Sequence, residues 1–251
     1  MKNLFLIILL FHVPNIFGQA DWTRTNSCEY KNFNNSDLIE QLIVGMTVEE
    51  KVGQVIQGDL DFISPEDVKK FKIGSVLNGG NTAPNGDKYS SVNDWKNLSK
   101  EFYDASPTYK GIKVPVLWGT DAVHGHNNVI GATLFPHNIG LGATGNEDLI
   151  RSIGEVIALE VLSTGVAWTF APTIAVPQDD RWGRTYEGFS EDPILVSKLG
   201  KAFVLGLQGE GETLLDNNHV IATAKHFMGD GGTFEGIDQG NTRISEIGLR
   251  E

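Results

Sequence analysis

A nonapeptide from Trp118 to His126 carries side chains that could do chemistry. An apolar run at 114–118 precedes it, and the sequence then changes abruptly to Gly, Asp and His. This change is typical of a buried strand that delivers polar side chains into a site at its C-terminal end. Asp121 can accept two hydrogen bonds at once, as the vicinal hydroxyls of a sugar require. The alternative interpretation is a strand followed by a capped polar turn.

A second segment, 179–189, mixes charges, aromatic rings and glycine. Such a mixture rarely serves packing alone. Arg184 could donate its planar fork to hydroxyls or orient a carboxylate, and Trp182 could offer an apolar face to a sugar ring. The alternative is an internal salt-bridge network that orders a long loop. We favour function for Arg184, whereas the sequence does not decide for Arg181 and Glu187.

A third segment places Lys225 and His226 directly after the apolar run 220–224. Adjacent residues of a strand point to opposite sides, but at a strand end the chain can turn and present both. Lysine supplies a cation, and histidine supplies a neutral donor near pH 7. The alternative is a surface lysine beside a core histidine. For Asp230, in the turn-rich segment 229–232, we predict a turn role.

The pair His124 and His126 raises the question of a metal. An H-x-H pair on a barrel strand can bind zinc together with later residues, and His219 and His226 are available. Metal-dependent barrel hydrolases usually carry such a pair on the first strand, whereas here it follows the third. We therefore predict no metal ion and no cofactor. The sequence also lacks a serine nucleophile elbow and a phosphate loop.

Composition narrows the class of protein and its partners. The chain has 251 residues, of which 40% are hydrophobic and 21% charged, as in ordinary globular proteins. Its net charge of -12 argues against a nucleic-acid partner and against an anionic membrane surface. A neutral substrate suits it better.

The first twenty residues have the pattern of a secretory signal peptide. A basic residue precedes the apolar core Leu4 to Phe11, and Gly18 and Ala20 suit cleavage before Asp21. The apolar core is too short to span a membrane. The sequence therefore predicts an exported protein, periplasmic or extracellular. The single cysteine, Cys28, cannot form an intrachain disulfide bond.

Strands and helices alternate along the rest of the chain. After a polar arm at 21–35, we predict one domain over 36–251. Predicted strands cover 52–58, 73–77, 114–118, 166–171 and 220–224. Predicted helices begin near Ser36, Thr47, Ser64, Val92, Asn146 and Asp192. This alternation indicates a parallel sheet. The polar strand ends would meet at one face of a (β/α)8 TIM-type barrel, but five strands make only an incomplete barrel, with the later strands missing.

Taken together, these segments resemble glycoside hydrolase family 3. The similarity is to the N-terminal domain of its β-glucosidases and exo-acting β-glucan glucohydrolases, and it runs from about Tyr30 to Glu251. The motifs that carry it are Met46 to Lys51, Gly119 to Gly125, Arg181 to Arg184 and Lys225 to Phe227. The segments 126–129 and 133–138 look most like the branch that acts on 1,3- and 1,4-β-glucans and cello-oligosaccharides.

The resemblance implies a site and a mechanism. By it, Asp121, Arg184, Lys225 and His226 bind the terminal glucose in the -1 subsite. The family mechanism is retaining and uses a carboxylate nucleophile and a carboxylic acid about 5 Å apart. By the same resemblance both lie beyond Glu251, so we expect no catalytic residue in this chain and no enzymatic hydrolysis by it alone.

Two other classes of protein stay open. One is a sugar-binding protein without catalytic carboxylates. The other is a metal-dependent barrel hydrolase, which would bind stoichiometric zinc. Neither accounts for Arg184 and the pair Lys225 and His226 as well as the glycosidase interpretation does. The predicted partner is a β-glucan or β-gluco-oligosaccharide, and the sequence predicts no oligomeric state.

Overall fold

The computed structural model describes residues 36–80 and 82–250. The predicted signal peptide at 1–20, the arm at 21–35 and Cys28 lie outside these residues. Within the described part of the chain, no helix has the length and apolar character needed to cross a membrane.

Eight α-helices and six β-strands form in the described residues. The helices are α1 Ser36–Gly45, α2 Val48–Gln54, α3 Pro65–Phe71, α4 Val92–Asp104, α5 Asn138–Gly142, α6 Glu147–Ser163, α7 Pro193–Gln208 and α8 Glu246–Arg250. The strands are β1 Gln57–Asp59, β2 Ser75–Asn78, β3 Thr108–Tyr109, β4 Ile112–Lys113, β5 Leu117–Thr120 and β6 Trp168–Thr169.

The main sheet is parallel, in the order β1-β2-β5-β6. Beyond β6 the ladder continues as two isolated parallel bridges, Trp168 with Ile221 and Thr173 with Lys225. Helices follow the strands in alternation, as predicted. The fold is therefore the predicted α/β barrel class, with a sheet that stays open over the described residues.

Helix starts follow the predicted capping chemistry. Thr47 and Ser64 each accept a hydrogen bond from the third helical amide, and the acidic residue there bonds back to the cap. Asn146 caps α6 and Asp192 caps α7 through their side-chain oxygens. Each cap satisfies amide groups that lack a partner inside the helix, which is why these boundaries are readable from sequence.

Strand boundaries were predicted less well. The predicted strand 52–58 is wrong over its first part, because the capping box at Thr47 starts a helix that continues to Gln54. The third strand starts at Leu117 and not at 114, since Pro115 has no amide to donate to a ladder. The predicted strand 220–224 is reduced to one bridge at Ile221, and the second bridge lies just after it, at Lys225. The β3–β4 hairpin and α5 were not predicted.

The core lies between the sheet and the helices α4, α6 and α7. Helices α6 and α7 pack at close range because Gly154 and Gly206 face each other; a Cβ at Gly206 would lie 2.1 Å from the Arg151 carbonyl oxygen. Large side chains with at most 2% exposure fill this core, among them Trp95, Phe102, Ile150, Ile157, Leu199, Phe203 and Leu207. This packing holds the C-terminal strand ends in fixed relative positions.

Candidate functional site

Six polar side chains gather beyond the C-terminal ends of the strands. We call them the strand-end cluster: Asp121, Arg184, Glu187, Lys225, His226 and Asp230. All four of the residues singled out from the sequence by resemblance are in it. Glu187 and Asp230 complete it.

Asp121 and Lys225 form the first pair of the cluster. Asp121 directly follows β5, and the backbone of Lys225 is fixed beside the chain after β6 through hydrogen bonds with Pro172 and Ile174. The Lys225 Nζ donates to Asp121 Oδ1 at 2.6 Å. The Lys225 side chain is 17% exposed and that of Asp121 45% exposed, so the carboxylate faces solvent more than the cation does.

Arg184 and Glu187 form the second pair. Arg184 directly precedes a 3-10 turn, Thr185–Glu187, which brings the carboxylate three residues on back to the guanidinium. Arg184 Nε donates to Oε1 at 2.7 Å, and Nη2 donates to Oε2 at 2.8 Å. Burial tends to raise the pKa of Glu187, but the hydrogen bonds and charge of Arg184 hold it below the ordinary value. The same hydrogen bonds raise the pKa of Arg184.

His226 connects the second pair to Asp230. Its Nε2 lies 3.1 Å from Arg184 Nη2, and its Nδ1 lies 2.7 Å from Asp230 Oδ2. The turn between His226 and Asp230 needs Gly229, which has φ 80°. The peptide bond between Lys225 and His226 is cis. Both adjacent side chains take part in the cluster, as predicted for a strand end.

Several hydrogen-bonding positions of the cluster have no protein partner among the described residues. They are Asp121 Oδ2, two protons of the Lys225 ammonium group and both Nη1 protons of Arg184. One acceptor thus lies beside several charged donors. A sugar hydroxyl is both donor and acceptor, and so this mixture suits a polyhydroxylated ligand.

Trp182 occupies a different environment from the cluster. It is only 1% exposed, and its indole Nε1 donates to Asp238 at 2.9 Å. The backbone of this loop is in contact with a second loop at Gly236, where a Cβ would lie 2.7 Å from the Trp182 amide nitrogen. The ring therefore faces protein and ties two loops together. This burial counts against the predicted sugar contact.

The H-x-H pair is divided between two environments. His126 is fully buried, and its Nε2 lies 2.9 Å from the hydroxyl of Thr164. Burial lowers its pKa to about 4. His124 Nδ1 lies 2.8 Å from the Phe135 carbonyl oxygen, and the His124 ring contacts that of His137 at a tilt of 45°, with centroids 4.1 Å apart. The two histidines therefore do not converge, which argues against the zinc alternative.

Two residues of the cluster have a larger part than the sequence predicts. The sequence does not decide for Glu187 and predicts a turn role for Asp230, whereas both contact a predicted binding residue. Their spacing was the available signal: Glu187 lies three residues after Arg184, and Asp230 lies four after His226. Such spacing suits a local ion pair only if the intervening loop turns back, which the sequence alone does not show.

Comparison with known proteins identifies the family. The sequence model described as "Glycosyl hydrolase family 3 N terminal domain" matches residues 47–251. The chain belongs to glycosyl hydrolase family 3. This confirms the resemblance inferred from the motifs.

Named relatives of this family 3 chain are glycosidases. It is 32% identical over 231 residues to a "Lysosomal beta glucosidase" of Dictyostelium discoideum, covering 84% of this chain and 28% of that one. It is 32% identical over 204 residues to a "Periplasmic beta-glucosidase" of Salmonella typhimurium, covering 81% and 24%.

A solved structure gives a similar result. The exo-1,3/1,4-beta-glucanase from a Pseudoalteromonas species is 53% identical and superposes with a TM-score of 0.81, covering 85% of this chain and 27% of that one. The chain thus spans about a quarter of the length of these family 3 proteins.

Proposed function

We propose that this chain supplies the glucose-binding part of a retaining β-glucosidase. The proposed reaction is the hydrolysis of terminal non-reducing β-D-glucosyl residues from β-glucans or cello-oligosaccharides. The observation that carries it is the Asp121–Lys225 pair, at 2.6 Å, in one cluster with a guanidinium whose two Nη1 protons have no partner among the described residues. The β-glucosidase and exo-β-glucanase names of the relatives support the substrate class.

In the proposed complex the sugar hydroxyls complete the hydrogen bonds of the cluster. Asp121 Oδ2 accepts from a hydroxyl of the terminal glucose, while Lys225 Nζ and Arg184 Nη1 donate to neighbouring hydroxyls. Charge-assisted hydrogen bonds of this kind are shorter and stronger than neutral ones. The negative charge of Asp121 also favours a ring that develops positive charge, and hydrogen bonds that strengthen in the transition state contribute several kcal/mol in glycosidases.

The catalytic carboxylates are assigned to no described residue. A retaining glycosidase needs a nucleophile and an acid/base about 5 Å apart that flank the bond to be cleaved. Glu187 and Asp230 are unsuited to these roles, because each carboxylate is engaged by Arg184 or His226. We propose that both catalytic groups lie outside this chain, as the resemblance implies.

Export is also part of the proposal. The charged start, short apolar core and small residues of the first twenty positions have the signal-peptide pattern. A periplasmic name among the relatives supports a periplasmic or extracellular site of action.

Glucose binding is the direct test of the proposed function. Isothermal titration of the protein with glucose is expected to give saturable binding, and Asp121→Asn is expected to weaken it about tenfold or more, because a charged acceptor is lost. Asp180→Asn is the matched control, since Asp180 is an exposed aspartate outside the cluster. Absence of glucose binding, or equal loss in both variants, contradicts the proposal.

An activity assay tests the assignment of the catalytic groups. We expect the 251-residue chain to hydrolyse a chromogenic aryl β-glucoside no faster than the uncatalysed reaction does. Turnover by this chain that Asp121→Asn abolishes would show that a catalytic pair lies within it, and the assignment would fall.

A further inference from the structure

The hydrogen bonds of Arg184 define which edge of its guanidinium is available. Of the five N–H groups, the Nε proton and one Nη2 proton point to Glu187, and the second Nη2 proton points to His226. Only the Nη1 edge remains without a partner in the described part of the chain. The cluster therefore orients Arg184 before any ligand arrives.

The same contacts determine the tautomer of His226. Arginine has no acceptor, so the contact at 3.1 Å requires that His226 Nε2 accept from Arg184 Nη2. A carboxylate only accepts, and so Nδ1 must carry the proton that is donated to Asp230 at 2.7 Å. The two contacts together select a neutral imidazole protonated on Nδ1. Swapping the proton to Nε2 would set two donors against each other at Arg184 and a lone pair against the carboxylate at Asp230.

Burial makes these contacts effective. The side chains of Glu187 and Asp230 are 16% and 14% exposed, whereas the Arg181–Asp179 pair in the same loop has an arginine that is 69% exposed. Ion pairs near the surface contribute little because water and salt screen them. The two largely buried carboxylates hold their partners more firmly, because little water competes for the hydrogen bonds.

We propose that Glu187 and Asp230 are positioning residues of the sugar site. Asp230 fixes His226 with its proton on Nδ1, so that Nε2 accepts from Arg184 Nη2. Glu187 takes the Nε proton and the other Nη2 proton of Arg184, so that the Nη1 edge is left for the sugar. The polarity of the site towards a sugar follows: Arg184 and Lys225 donate, while Asp121 accepts. The consequence for glucose rests on the proposed function, whereas the tautomer does not.

The first experiment determines the tautomer of His226 in the protein without ligand. Long-range proton–nitrogen correlation spectra of the 15N-histidine-labelled chain show which imidazole nitrogen carries the proton, and the His226 signals are those missing from His226→Gln. The expected result at neutral pH is the Nδ1-protonated neutral form. Asp230→Asn is expected to raise the Nε2-protonated fraction, because an amide can donate to Nδ1. Asp180→Asn, the matched control, is expected to leave the spectrum unchanged.

A glucose titration then tests whether the positioning residues Glu187 and Asp230 affect glucose affinity. Asp230→Asn and Glu187→Gln are each expected to weaken glucose binding about tenfold, the usual effect of one lost hydrogen bond to a charged group. Glu187→Asp, which keeps the charge, is expected to restore part of that loss. Unfolding midpoints measured on the same samples separate these effects from loss of fold.

The outcomes separate this inference from the proposed function. An Nε2-protonated or doubly protonated His226 in the unchanged protein overturns the inference, whether or not glucose binds. So does a tautomer that Asp230→Asn leaves untouched in a folded protein. If the tautomer is as expected and glucose does not bind, the positioning role of Asp230 is supported and the proposed function fails.

Discussion

Two polar networks lie on either side of the end of β5, and they differ in charge, in exposure to solvent and in the hydrogen-bonding groups that they leave without a partner. In the first network, the buried side-chain amide of Asn78, at the end of β2, accepts a hydrogen bond from Trp118 Nε1 at 2.9 Å and donates one to the Thr120 hydroxyl at 3.0 Å. Beyond the strand, the strand-end cluster starts at the very next residue, Asp121. The first network is neutral and fully buried, whereas the second is charged, partly exposed and retains donors and acceptors that have no partner among the described residues.

We expect this difference to separate structural polar residues from ligand-binding ones. A buried neutral network orders a core, and a ligand does not reach it. Charges that stay partly solvated and keep free valences are suited to exchange water for hydroxyls. Position along the sequence does not separate the two classes, because Thr120 and Asp121 are neighbours.

The largest effect is expected from breaking the buried network around Asn78. Asn78→Ala removes both hydrogen bonds, leaves Trp118 Nε1 and the Thr120 hydroxyl without their partner, and opens a small cavity. We expect a loss of about 3 kcal/mol in the free energy of unfolding, measured by urea denaturation. Asn97→Ala, on the outer side of α4, is the control and should change stability little. A loss below about 1 kcal/mol would show that the network is not structural.

A similar loss in the free energy of unfolding is expected when the pH is lowered, because His126 is buried. The pKa of His126 is about 4 in the folded protein and 6.5 when unfolded, because burial disfavours the charged ring. Between those values the unfolded state binds a proton that the native state does not, so stability falls as pH falls from 6.5 towards 4. The expected loss is about 3 kcal/mol. The measurement is the difference in unfolding free energy between the unchanged protein and His126→Gln across this range, and parallel pH curves would contradict it.

A smaller effect is expected when the guanidinium of Arg184 is replaced by another cation. Arg184→Lys keeps the positive charge but cannot bond Glu187, His226 and a sugar at once. We expect glucose affinity to fall about tenfold by titration calorimetry. An affinity equal to that of the unchanged protein would mean that charge alone, and not the fork geometry, serves binding.

The smallest effect is expected from the neighbouring arginine. Arg181 belongs to the same motif as Arg184, but it pairs with Asp179 at the surface and is 69% exposed. Arg181→Gln should change the unfolding free energy by less than about 0.5 kcal/mol and leave glucose affinity unchanged. A loss of binding as large as that of Arg184→Lys would extend the site beyond the strand-end cluster.

The sequence predicted what depends on local rules. Caps at Thr47, Ser64 and Asn146 mark helix starts because the side chain bonds an amide two or three residues away. Apolar runs that end in polar residues located the strands and, through them, the cluster. Parallel strands bring their C-terminal ends to one face, so Asp121 and Lys225 meet although 104 residues separate them.

What the sequence missed depends on contacts between loops. Trp182 is buried because the segment around Asp238 covers it, and no local sequence pattern predicts that contact. Glu187 and Asp230 join the cluster because a 3-10 turn and a glycine turn fold them back. The strand at 220–224 is reduced to the bridge at Ile221, because ladder formation depends on a neighbouring strand and not on the apolar run itself.

A crystal structure of the protein soaked with glucose would show directly whether the strand-end cluster binds this sugar. We expect one glucose whose hydroxyls lie within hydrogen-bond distance of Asp121 Oδ2, Lys225 Nζ and Arg184 Nη1. Glucose bound elsewhere, or none bound at a concentration that saturates the protein in solution, would contradict it.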